Sequence, residues 1–271
     1  MSSINNSIEE GATFKVVERI FLGGTQEMYL CLEYSGEEWL FKHAILKNKP
    51  HVKQPFRAYI NEAGYKVQNL VDPDSAIFCK PYEVNGMFGS IQKRIEIMPF
   101  NLDFSNKEIT NQLLREWVTD YLLFNYDTNA GNFIMGRDGT LRGVDKEQSL
   151  RFIREADVKP SLDYAPDRNT TPIYNTMFKQ YRNGAIDLDL ESVFKYIDRV
   201  ESVTDEEYQG IFKIYAYEVK KGNLVYVDEL LSKIVLRKQN IRENVVEFFN
   251  SMTLVRNGQE EFSSEDSKKL G

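Results

Sequence analysis

Residues 123–145, Leu-Phe-Asn-Tyr-Asp-Thr-Asn-Ala-Gly-Asn-Phe-Ile-Met-Gly-Arg-Asp-Gly-Thr-Leu-Arg-Gly-Val-Asp, constrain the fold more than any other stretch of the chain. Phe133 to Met135 and Thr140 to Val144 are short extended runs on either side of Gly-Arg-Asp-Gly, so they are expected to pair as a hairpin. Folding back in this way brings Asn132 close to Asp145 and leaves Asp127 five residues earlier on the same loop. The stretch follows a strong helical stripe of Ile109, Leu113, Leu114, Trp117, Val118, Tyr121 and Leu122, with Ser105 and Glu108 in capping-box spacing ahead of it.

An amide oxygen and a carboxylate that converge in this way suit a hard cation such as Mg²⁺, which takes one or two protein oxygens and completes its shell with phosphate oxygens and water. Asn132 and Asp145 are the candidate metal ligands. Asp127, at the mouth of the same loop, is placed to accept or orient the proton of an attacking hydroxyl. A plainer reading stays open: Asn125 to Asn129 is a turn rich in Asx residues, and Asp145 caps something local.

The first hundred residues read as a small α+β unit. Extended patterns run from Phe14 to Ile20, Met28 to Tyr34 and Glu38 to Lys42, broken at Gly23-Gly24-Thr25 and Ser35-Gly36. Phe56, Tyr59, Ile60, Ala63, Val67 and Leu70 then line one helical face, ended by Asp72-Pro73-Asp74. Extended stretches from Ala76 to Glu83 and Phe88 to Ile97 flank Asn85-Gly86, giving a sheet of about five strands with one helix packed on it. The spacing predicts a mostly helical second half, over Leu190 to Val200, Asp205 to Lys220 and Val225 to Met252, with Thr204 as an N-cap and Gly222 as a terminator. The expected division is residues 12–100, then 101–256 after a hinge near Pro99 to Asp103, with 1–11 and 257–271 as mobile tails.

Composition narrows the function classes. A net charge of −7 argues against a broad phosphate-reading surface, so nucleic acid is not the expected ligand. No apolar run approaches the roughly 20 residues needed to cross a bilayer. Two cysteines, Cys31 and Cys79, are too few for a disulfide framework, and no charged-then-apolar leader opens the chain; a cytoplasmic setting is expected. His43 and His51 lack partners at zinc-ligand spacing and follow no nucleophile elbow, so neither a zinc site nor a Ser-His-Asp hydrolase is expected. Tyr164, Tyr174 and Tyr181 with Arg168, Lys179 and Arg182 read either as an acceptor groove or as a wet loop packed by aromatic rings.

At these residues the chain resembles the atypical kinases: the phosphoinositide 3- and 4-kinase group, the actin-fragmin kinases and the bacterial HipA-type kinases. Tyr126-Asp-Thr-Asn-Ala-Gly-Asn-Phe-Ile-Met135 looks like their catalytic loop, Gly143-Val-Asp145 like their metal-binding segment, and Phe88-Gly-Ser-Ile-Gln92 like the strand that leads to their hinge. The resemblance implies a two-lobed kinase fold, with a small antiparallel-sheet lobe bearing one helix and a larger, mainly helical lobe. It implies Lys42 on the phosphates of ATP with Glu62 supporting it, and backbone at Glu96, Ile97 and Met98 against adenine; the Gly23-Gly24-Thr25 turn itself reads either as a place where backbone N–H groups approach phosphate or as an ordinary hairpin turn. Asp127 becomes the catalytic aspartate, and Asn132 and Asp145 hold Mg²⁺. The chain departs from ordinary protein kinases: it lacks His-Arg-Asp, and Lys146-Glu147 follows Asp145 where Phe-Gly is usual.

The expected activity is transfer of the γ-phosphate of ATP to a hydroxyl, most simply on a protein or peptide substrate, since a lipid head group on an anionic membrane would repel a chain of this charge. A small-molecule or lipid acceptor is the alternative enzyme reading. A pseudokinase-like binding module is the alternative of another class.

Overall fold

The computed structural model describes residues 13–20, 26–33, 35–151, 153, 159–162 and 172–268, with side chains described up to 257. Strands β1 (Phe14–Ile20), β2 (Gln26–Glu33) and β3 (Glu38–Leu46) form the antiparallel meander that their apolar alternation predicts. A further strand, β4 (Lys49–Lys53), turns back on β3. Its Lys-Pro-His-Val-Lys sequence carries no apolar alternation, which suits an exposed edge and hides it from periodicity.

Helix α1 (Phe56–Val71) follows, with Ala58, Ile60, Ala63, Val67 and Val71 buried and Asp72 ending it. Strands β5 (Cys79–Val84) and β6 (Met87–Lys93) meet at a two-residue turn in which Asn85 and Gly86 both take positive φ, 51° and 75°, as such hairpins require. The sheet runs β1-β2-β3-β6-β5 with β4 beside β3, six strands in all. The extended run expected over Phe88 to Ile97 is interrupted. It leaves the first sheet at Lys93, and β7 (Ile97–Met98) pairs instead with a second sheet.

Helix α2 (Lys107–Leu122) is capped by Asn106, whose side-chain oxygen accepts the Glu108 and Ile109 N–H groups. Ser105, the cap expected from sequence, instead donates its hydroxyl to Asp103 at 2.7 Å. Strands β8 (Phe133–Gly136) and β9 (Leu141–Gly143) form the expected hairpin and complete the three-stranded sheet β7-β8-β9.

The remaining helices are α3 (Ile173–Arg182), α4 (Phe194–Glu201), α5 (Asp205–Val219), α6 (Leu224–Gln239) and α7 (Ile241–Lys268). Helix α3 corrects the loop reading of the tyrosines: Tyr174 and Tyr181 are buried on a helix, while Tyr164 and Arg168 lie outside the described residues. Thr204 caps α5 in a reciprocal capping box with Glu207, and Gly222, at φ 72°, follows the end of that helix. The single helical run expected from Val225 to Met252 is two helices parted at Asn240. Helix α7 continues to Lys268, across residues whose polar composition reads as a tail, because extending an existing helix by Gln, Glu and Lys costs little. The expected tail at residues 1–11 lies outside the described residues.

Helix α2 is the centre of the main core. Residues 113–122 are all buried, and Trp117 packs against Phe178, Phe248 and Phe249 from α3 and α7. A second cluster, built on Phe14, Trp39, Phe41, Val84 and Ile91, belongs to the first sheet. Among the described residues no helix is long and apolar enough to cross a membrane.

Candidate functional site

Alternation along β3 turns Trp39 and Phe41 into the sheet's own core and sends Lys42 to the opposite face. There the Lys42 ammonium meets Asp145 Oδ1 at 2.9 Å, across 103 residues of chain. The hairpin delivers Asp145 to this point: Val144 N–H donates to the Asn132 carbonyl at 2.8 Å, and Phe133 pairs with Gly143. Asn132 therefore lies across the ladder from the residue that precedes Asp145. Its side-chain Nδ2 donates to the Asp127 carbonyl at 2.6 Å, which closes the loop 127–132 on itself. Asp127 Oδ1 accepts from Asn129 Nδ2 at 2.9 Å. The structure thus brings Lys42 to Asp145, and Asp127 to Asn132, on adjoining segments.

Glu62 is not brought to Lys42. It pairs with Lys66, one turn further along α1, at 2.9 Å. The residue before it, Asn61, reaches toward the sheet instead and donates to Ser90 Oγ at 3.1 Å. Glu147, which sequence reasoning treated only as a departure from Phe-Gly, is the second carboxylate beside Lys42. It pairs with Arg57 of α1 at 3.0 Å, and its Oε2 is buried with no hydrogen-bond partner among the described residues. No sequence signal marked it beyond its place two residues after Asp145.

Burial works against the Lys42 ammonium, but the charges of Asp145 and then Glu147 outweigh it, so the pKa is raised and the group is a cation at neutral pH. Burial, reinforced by the Asp145 charge and opposed by Lys42 and Arg57, pushes the Glu147 carboxyl upward. Three non-glycine residues here, Phe124, Asp145 and Leu150, hold positive φ of 48°, 60° and 59°. Such conformations cost about 1–3 kcal/mol each and persist where the surroundings fix them. Leu150 N–H donates to the Leu123 carbonyl, and the Arg237 guanidinium stacks on Phe124.

Beneath the site lies a charged network that periodicity assigns to solvent. Lys146 is buried and pairs with Asp120 at 2.7 Å and Glu116 at 3.8 Å. Arg115 bridges Glu116 and Asp72, and Gln68 donates to the Gly143 carbonyl at 2.7 Å. Helix α1 crosses this network at Gly64, where an added Cβ would come within 2.8 Å of the Lys146 side chain.

A cavity of about 20 Å³ adjoins Asp145, lined by Asn61, Tyr65, Gln68, Cys79 and Gln92 among others. A larger one, about 70 Å³, lies among the helices under loop residues Asn125, Tyr126 and Thr128. The smaller of the two is lined by Asp145 and Lys146 and so adjoins the Lys42–Asp145 pair, whereas the larger is lined by Asp120, Lys159 and Arg237. Ile97 and Met98 are exposed, with their backbones paired to Gly136 and Met135, and the Glu96 carbonyl accepts the Arg137 N–H at 3.0 Å. Gly23, Gly24 and Thr25 lie outside the described residues.

The donor set fits a hard cation. The Asn132 amide nitrogen is engaged within the loop, which leaves its oxygen as the group to offer a metal, and Asp145 supplies a carboxylate. No cluster of three His, Cys, Asp or Glu of metal-binding geometry occurs among the described residues.

No family model and no curated protein sequence matches the chain. Among solved structures it is similar to the Helicobacter pylori proinflammatory kinase CtkA, with a TM-score of 0.51 at 12% identity, over 88% of this chain and 97% of that one. It is also similar to the Golgi casein kinase, with a TM-score of 0.46 at 12% identity over 89% and 74% of the two chains. A third similarity is to a chain of the Shewanella oneidensis MR-1 complex of HipA, HipB and operator DNA, at 0.47 and 11% over 91% and 69%. The first of these, joined to the antiparallel sheet with one helix and the mainly helical second half, shows the fold to be kinase-like and two-lobed.

Proposed function

We propose that this chain is an ATP-dependent phosphotransferase that moves the γ-phosphate to a hydroxyl on a protein or peptide. The observation that carries the reading is the Lys42–Asp145 pair, which joins the first sheet to the hairpin beside the closed Asp127–Asn132 loop. Residues 12–100 act as the nucleotide-phosphate lobe and 101–256 as the catalytic lobe. The free thiols of Cys31 and Cys79 support a cytoplasmic setting.

In this reading Lys42 offers a fixed positive charge to phosphate oxygens, and the backbone of Glu96, Ile97 and Met98 meets the adenine edge. Asn132 and Asp145 would hold Mg²⁺, which when bound supplies charge neutralisation on the phosphates. Asp127 accepts or orients the proton of the acceptor hydroxyl, and needs no covalent role. Asp145, with Glu147 behind it, keeps Lys42 charged, and Glu147 holds Arg57, so α1 contributes to the site through Arg57 where Glu62 does not.

The test is incubation with γ-labelled ATP, Mg²⁺ and a peptide mixture, alongside nucleotide binding by thermal shift. Asp127→Ala is expected to lower transfer by about 10²–10⁴-fold and to spare Mg²⁺-dependent ATP binding, whereas Asp145→Ala loses both. Transfer by either variant at the wild-type rate would contradict the assignment. Stabilisation by a protein partner with none by Mg²⁺ and ATP would mark a binding module instead.

A further inference from the structure

Asp120 is a buried carboxylate on the last turn of α2, and the chemistry described above does not use it. Its side chain is shared among three donors. Oδ1 accepts from Lys146 Nζ at 2.7 Å and from Asn125 Nδ2 at 2.8 Å, and Oδ2 accepts from the Tyr174 hydroxyl at 2.8 Å. Its backbone carbonyl takes the Asn125 N–H at 2.9 Å, so Asn125 is gripped twice. Asn125 Oδ1 then accepts the Asp127 N–H at 3.3 Å. One arm of the network therefore runs from Asp120 through Asn125 to the backbone of Asp127. The other runs through Lys146, the residue after Asp145, which stands in the left-handed region at φ 60°.

We propose that Asp120 is the positioning residue of the site, a single buried charge on a rigid helix that sets the Asp127 loop and the Asp145 turn relative to each other. The proposal rests on the phosphotransferase reading for its functional meaning. Its chemistry favours a carboxylate over an amide: Asp120 faces an ammonium, an amide N–H₂ and a hydroxyl, and an Asn here offers one oxygen where three donors arrive. Glu116, the other carboxylate near Lys146, stands 3.8 Å from it and is held by Arg115 and Gln68, so it balances charge on the side away from the loop. Tyr174 fixes the second carboxylate oxygen from α3, which prevents the group from swinging toward either arm alone. The left-handed conformation of Asp145 gives this arm its purpose, since a residue held off its preferred backbone geometry returns to it once its neighbour is released.

A residue that only offset the buried charge of Lys146 would act on overall stability. A positioning residue acts on the two loops first, and separately through its two arms. The experiment compares Asp120→Asn, Asn125→Ala and Lys146→Met by amide hydrogen exchange and by steady-state kinetics. Asn125→Ala cuts only the arm to Asp127 and is expected to lower kcat by about 100-fold at unchanged KM for ATP. Lys146→Met cuts the arm to Asp145, and with it the pair to Glu116, while leaving Asn125 on Asp120, and raises KM for ATP. Asp120→Asn does both, and speeds exchange at residues 125–132 and 144–147 by about tenfold while α5 and α6 keep wild-type protection. Should Asp120→Asn fail to fold, the two single-arm variants carry the test.

Unchanged exchange at both loops, or a uniform rise over the whole molecule, would overturn the proposal. Exchange as expected in a wild-type protein that transfers no phosphate would uphold the anchoring and overturn the phosphotransfer reading, so the two failures are distinguishable.

Discussion

Lys42 and Asp145 carry a legible signature because each is fixed by a local pattern: one by alternation along a strand, the other by the tight return of a hairpin. Glu62 was not fixed in this way. Successive helical residues point about 100° apart, so the choice among Asn61, Glu62 and the buried Gln68 depends on how α1 is rotated against the sheet, which side-chain spacing alone leaves open. The rotation that buries Ala63, Gly64 and Val67 turns Asn61 to Ser90 and leaves Glu62 to Lys66. Cys79 shares this environment. Burial, partly offset by Lys42 and Ser90, raises its thiol to about 12, and burial raises Cys31 to about 11. At neutral pH both are protonated, and alkylation by iodoacetamide is expected to be about a thousandfold slower at Cys79 in the folded protein than in urea. Mass spectrometry of timed samples checks this, and modification of Cys79 at the unfolded rate would contradict the burial described.

Among the elements, the β8–β9 hairpin was the most readable, since Gly-Arg-Asp-Gly names its own turn. It also carries a pH signature. Bonding to Arg142 holds the Asp138 carboxyl at about 2, below its usual 3.8. A depressed carboxyl contributes stability that is complete above the unfolded value and is lost as pH falls through the folded one. Asp138→Asn is therefore expected to lower the urea midpoint at pH 6, with the difference from wild type closing between about pH 4 and 2. A difference that persists at pH 2 would remove Arg142 as its cause. Helix α2 shows where reading by element fails. Its apolar stripe was plain, but a helix that is buried all round also hides Arg115, Glu116 and Asp120, which amphipathic logic sends to water. Strand β4 and the break at Asn240 were missed for opposite reasons, one for want of an apolar pattern and the other because the pattern continues across it.

At the scale of the whole molecule, the order of elements was readable because period-two stretches interrupted by α1 fill the first hundred residues and periods near four dominate the rest. What joins the halves was not. Arg57 of α1 reaches Glu147, Gln68 reaches Gly143, and α1 lies against Lys146 at Gly64, so the single helix of the first lobe is built into the floor of the site. These are contacts between residues more than 70 positions apart, set by three-dimensional packing with no trace in local spacing. Helix α1 thus meets the site through Arg57, Gly64 and Gln68, while Glu62 pairs with Lys66. The site as a whole stands or falls on whether Lys42 and Asp145 meet a magnesium-bound nucleotide between the lobes. Calorimetric titration with ATP, with and without Mg²⁺, on wild type and Lys42→Met measures this directly. Saturable binding that needs Mg²⁺ and weakens by about 10- to 100-fold in the variant is the expected result, the loss of one charge-assisted bond. No binding by the wild type, or equal affinity in the variant, would contradict it.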